Sequence, residues 1–74
     1  MITKEYLFSL NLAYPEFLPY YQGQVSGIVV TSTQGVRVQF PAMHLRKFVT
    51  PSGIHGYFRL ETKNNKFFSL TKLQ

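Results

Sequence analysis

A mainly β fold is what this sequence predicts: a small, curved five-stranded antiparallel sheet or a partly open barrel, with two short helical turns between strands. Three observations lead there. Residues 5–12 and 36–40 alternate with a period of two, and the stretch 24–32 is rich in β-branched residues. The segments between them carry the glycine, asparagine and proline of tight turns.

In 5–12, Tyr6, Phe8, Leu10 and Leu12 share one face while Leu7, Ser9 and Asn11 share the other, as in a half-buried strand. The stretch 14–21 breaks that pattern. Pro15 suits a first helical turn, where its missing N–H would be unpaired anyway, and Glu16 falls near the positive end of the helix dipole. Pro19 would remove a hydrogen bond and crowd the Pro15 carbonyl, so a short, kinked or 3₁₀-like helix is expected, ending near Gln22-Gly23.

Residues 24–32 form the second expected strand, in which Gly27 marks a bulge or bend. Thr33-Gln34-Gly35 makes a hairpin connection to a third strand, where Val36, Val38 and Phe40 alternate with Arg37 and Gln39. Pro41 ends it. Residues 42–48 then have the length of about two helical turns, with Ala42, Leu45 and Phe48 facing the core. Thr50-Pro51-Ser52-Gly53 is a turn by composition, and residues 54–62 make a fourth strand with Phe58 and Leu60 inward. A polar turn over 63–66, where either asparagine tolerates a left-handed backbone, leads to a fifth strand over 66–73 that pairs antiparallel with the fourth. A split α+β arrangement is the competing shape. No repeat, low-complexity tract or linker interrupts the chain, so 1–74 is read as one domain.

Composition bounds the function. A domain of 74 residues buries only about 60% of the surface its unfolded chain exposes, so its stability is marginal. With no cysteine there is no disulfide and no thiolate metal site. Two histidines and three scattered carboxylates (Glu5, Glu16, Glu61) do not make a metal cage, so neither a metal nor a cofactor is expected. Dense packing of the 16% aromatic residues, or association into oligomers, must supply the stability. No apolar run reaches the length of a signal-peptide core or a membrane span, which predicts a cytoplasmic protein. The net charge of +5 favours polyanionic partners, yet only Arg46 and Lys47 are adjacent cations, and no basic tail exists.

Three runs carry a resemblance. Tyr20-Tyr21-Gln22-Gly23, then Val38-Gln39-Phe40-Pro41-Ala42 with Leu45-Arg46 and Phe48, then Gly53-Ile54-His55-Gly56-Tyr57-Phe58 resemble a family of short uncharacterised bacterial proteins classed as a domain of unknown function. The likeness extends from about Tyr6 to Leu73. It implies a free-standing single domain of about this length and carries no functional residues with it.

The chemical signals are few. His44 and His55 have no acid near them in sequence, and a catalytic histidine needs an orienting group and a reacting partner, so both are read as structural and the protein as no enzyme. The spacings Gly53–Gly56 and Gly23–Gly27 lack the strand, lysine and helix of a phosphate-binding loop. Of Tyr20 and Tyr21, one ring is expected in the core and one at the surface. The strongest binding signal is a strand face. Alternation points Arg37 outward on the third strand and Tyr57, Arg59 and Glu61 outward on the fourth. Were those strands neighbours, Arg37, Tyr57 and Arg59 would form a basic-aromatic patch, extended by Arg46 and Lys47, suited to RNA or single-stranded DNA. The competing reading is an ordinary solvated sheet face on a module that docks onto another protein or onto itself.

Overall fold

The computed structural model describes residues 2–74, which form five strands and two helical segments. The order is β1 (Thr3–Ala13), α1 (Tyr14–Tyr21), β2 (Gly27–Thr31), β3 (Arg37–Pro41), a 3₁₀ helix (Ala42–Phe48), β4 (Gly53–Lys63) and β5 (Lys66–Lys72). The mainly β class and the element order match the sequence expectation. The single five-stranded sheet does not. The strands divide into an antiparallel sheet ordered β1-β4-β5 and a separate β2-β3 hairpin, with no closed barrel among the described residues.

The split has a physical cause. β1 pairs with β4 along its whole length, from Thr3 opposite Lys63 to Ala13 opposite Gly53. That long register places Phe8 directly opposite Phe58, with ring centroids 5.5 Å apart. The β2-β3 hairpin carries its own apolar face of Ile28, Val30 and Phe40, which lies against the sheet rather than extending it. Phe40 approaches Phe8 at 5.9 Å, and Phe48 meets Phe58 edge-on at 5.3 Å. Packing face to face buries both apolar surfaces, whereas joining edge to edge would bury neither. The hairpin loop still touches the free edge of β1, where the Thr33 N–H donates to the Leu7 carbonyl at 2.8 Å.

Local chemistry accounts for the remaining differences. Residues 14–21 form one α-helix despite Pro19. In so short a helix the proline removes a single hydrogen bond, and burial of Phe17 anchors the segment. The Glu16 carboxylate accepts a hydrogen bond from the Ala13 N–H at 3.0 Å, the acidic half of a capping box. The second helical segment is 3₁₀ because its inward residues Ala42, Leu45 and Phe48 repeat every third position, which matches three residues per turn. β2 begins at Gly27 with regular pairing, so the bulge expected there is absent; the register shift lies instead between the Glu61–Ser69 and Thr62–Phe67 pairs, where Phe68 on β5 is the extra residue. Both Asn64 and Asn65 take positive φ, which builds the tight β4–β5 turn. Gly53, at φ +121°, lets the β1–α1 joint cross its backbone, and a Cβ there would run into the Leu12 carbonyl.

Candidate functional site

The five residues singled out for a basic-aromatic patch fall in three places. Tyr57 and Arg59 stand together on the outer face of β4, the face turned away from Phe58 and Leu60. Arg37 lies on β3, in the other sheet, paired with Thr31. It lines a cleft of about 290 Å³ with Tyr6, Thr62 and Asn65, against the opposite face of the three-stranded sheet. β3 and β4 are not neighbours, so Arg37 does not join Tyr57 and Arg59. Arg46 and Lys47 lie on the 3₁₀ helix, near the β5 edge.

Register also decides the electrostatics of the outer face. Glu5 on β1 lies directly opposite Glu61 on β4, one residue pair beyond Arg59 on the same face. Arg59 Nε is 3.8 Å from Glu61 Oε1, and that same oxygen accepts a hydrogen bond from Ser69 Oγ at 2.8 Å. One carboxylate, Glu61, therefore stands close to the Arg59 guanidinium, with Glu5 and Lys63 further along the same face. His55, further along this face, bridges Asn11 Oδ1 at 3.0 Å and the Ser52 carbonyl at 3.1 Å. Glu61 and His55 thus have hydrogen-bond partners, whereas the buried Arg59 Nε has none among the described residues.

The β5 edge, which adjoins this face through Ser69, differs. A groove of about 410 Å³ runs between the 3₁₀ helix and β5. Met43, Arg46 and Lys47 form one wall, and Phe67, Phe68 and Leu70 the other. Met43 is 64% exposed and Phe68 54%, high values for large apolar side chains. The His44 ring stacks on Phe67 at 3.6 Å and 5° and helps form the floor. Lys63 Nζ lies 4.9 Å over the Phe68 ring. Met43 also reaches a second cleft, of about 250 Å³, shared with Tyr20, Val25 and Pro41. Arg46 borders both clefts, and its Nη2 donates to the Tyr21 carbonyl at 2.6 Å while the guanidinium covers the Tyr21 ring at 5.0 Å. This places a cation at the negative end of α1. As expected for the tyrosine pair, Tyr20 packs half-buried on Phe17 and Tyr21 lies at the surface.

A family model, described as "Protein of unknown function (DUF2835)", matches residues 4–73. The chain belongs to that family. Within this DUF2835 domain the match spans every strand and both helical segments almost completely, so the two-sheet architecture and the groove both lie inside it. No curated protein and no solved structure matches the chain.

Sequence reasoning missed the groove, although signals for it are present. Adjacent Phe67 and Phe68 on a strand cannot both face inward, so one large ring must be left outside. Met43 follows inward-facing Ala42 on a segment of period three and so falls off the buried stripe. Neither residue carries charge or chemistry, which is why reasoning from polar residues passed them over.

Proposed function

We propose that this domain is a non-catalytic docking module that binds another protein through the face formed by the 3₁₀ helix and β5. The observation that supports the reading is the exposure of Met43 and Phe68 on opposite walls of one groove, with a second apolar cleft continuing from Met43. Large apolar side chains grouped around concave surface mark interaction sites on small soluble domains, and flexible methionine suits an adaptable contact.

Binding of RNA or single-stranded DNA is the competing reading, and the cations lining the groove supply its one favourable observation. Two features count against it. Arg59 lies 3.8 Å from the Glu61 carboxylate, and Arg46 is engaged with Tyr21. The two readings separate by experiment. Selection from a displayed random-peptide library should yield binders that the wild type retains and that a Met43→Ser/Phe68→Ser double variant loses. Their affinity should change little with salt. If no peptide is enriched, while short oligonucleotides bind with affinity falling steeply as salt rises, the docking reading is wrong.

A further inference from the structure

We infer that the groove takes an extended, acidic peptide segment, added as a strand along the outer edge of β5; this rests on the docking reading above. β5 is the last strand of its sheet. The Leu73 N–H donates to the Tyr57 carbonyl at 2.7 Å, which fixes which residues of the antiparallel pair face each other through hydrogen bonds. Continuing that register, Thr71 opposite Arg59 and Ser69 opposite Glu61 turn their backbone groups toward β4. Leu70 and Lys72 therefore turn their N–H and C=O groups outward, and no other described backbone group bonds them. The groove lies along the Phe67–Leu70 part of this edge, so an incoming strand would meet the main chain of Leu70 at the groove beside its apolar wall and that of Lys72 just beyond it. Strand addition of this kind draws affinity from the backbone and specificity from alternate side chains.

Charge selects the occupant. Apart from Arg46, which is engaged with Tyr21, Lys47 lines the groove, Lys63 lies over Phe68, and Lys66 and Lys72 are on β5 itself, four of the eight cations in the chain. None of the three carboxylates lines the groove. Glu16 caps α1, Glu61 is held by Ser69, and Glu5 faces Glu61 from β1. Lysines on an edge strand ordinarily discourage pairing with a like chain. A second copy, itself at +5, would bring lysine against lysine, so self-pairing through β5 is disfavoured. An extended segment alternating acidic and aliphatic residues meets both demands. Its carboxylates would face the lysines, and its aliphatic side chains would meet Met43 and Phe68.

The test uses the full chain, isotopically labelled, and a synthetic peptide of about seven residues, a common strand length, alternating glutamate and valine. Two signals are read together: the Met43 methyl resonance and hydrogen exchange at the Leu70 and Lys72 amides. The inference expects the methyl to shift and both amides to exchange about tenfold or more slowly at saturation. N-methylation of one alternate set of peptide amides should weaken binding about tenfold, while methylation of the other set leaves it within about twofold. Replacing glutamate by lysine should abolish binding. If the methyl shifts but the amides gain no protection, strand addition is overturned and docking at the groove survives. If neither signal moves, both fail. An oligothymidylate that moves both signals at lower concentration than the peptide overturns the assignment of a peptide partner.

Discussion

The outer face of the β1-β4-β5 sheet and the groove beside β5 are both partly exposed, yet they handle polar and apolar groups in opposite ways. On the outer face, Glu61 accepts a hydrogen bond from Ser69 and lies 3.8 Å from Arg59, and His55 bridges Asn11 and Ser52. In the groove, cations stand around exposed Met43 and Phe68, and no strand among the described residues pairs with the outer side of β5. The lesson is that a charge pointing away from the core is not thereby available. Whether it is free depends on what its neighbours set beside it, and here Glu61, two residues along the same strand face, lies 3.8 Å from Arg59.

The largest expected effect removes the contrast altogether. Phe8 is fully buried between Phe40 and Phe58, so Phe8→Ala should cost about 3–5 kcal/mol in denaturant unfolding, enough to threaten a domain of this size. Next, Leu45→Ala should cost about 2–5 kcal/mol, because Leu45 is the buried anchor of the 3₁₀ helix. Its amide shift changes should concentrate in the 3₁₀ helix and β5, the two walls of the groove. Equal changes around His55 and Tyr57 would show that the two regions are not independent.

How far the sequence reveals these regions can be judged from particular residues. Alternation correctly turns Phe8, Phe58 and Leu60 inward, because side-chain direction on a strand is a local property. Pairing is not local. The partner of β1 is β4, separated from it by α1, the hairpin and the 3₁₀ helix, and no local pattern in residues 5–12 names that partner. Hence five strands are legible while their division into two sheets is not. The same gap scatters the candidate site: Arg37 and Arg59 each point outward as expected, but on different sheets. The 3₁₀ geometry was within reach, since the spacing of Ala42, Leu45 and Phe48 is already three.

Smaller effects sharpen the comparison. Arg46→Ala removes both the bond to the Tyr21 carbonyl and the ring contact, and should lower stability by about 1 kcal/mol, read as a shift in urea midpoint with unchanged slope. No shift would mean that Arg46 is free for a ligand. Smallest of all, Met43→Ser and Phe68→Ser should each stay within about 0.5–1 kcal/mol of the wild type, since neither side chain is buried. A much larger loss would place one of them in the core and remove the exposed wall on which docking depends.

The central claim, that the groove and not the outer face binds, is tested most directly by fluorescence anisotropy with the glutamate–valine peptide and two double variants. Met43→Ser/Phe68→Ser should weaken binding by about tenfold or more, equivalent to ~1.4 kcal/mol, while Tyr57→Ser/Arg59→Ser should leave it within about twofold. The reverse outcome, binding lost with the outer-face pair and kept with the groove pair, would contradict the account.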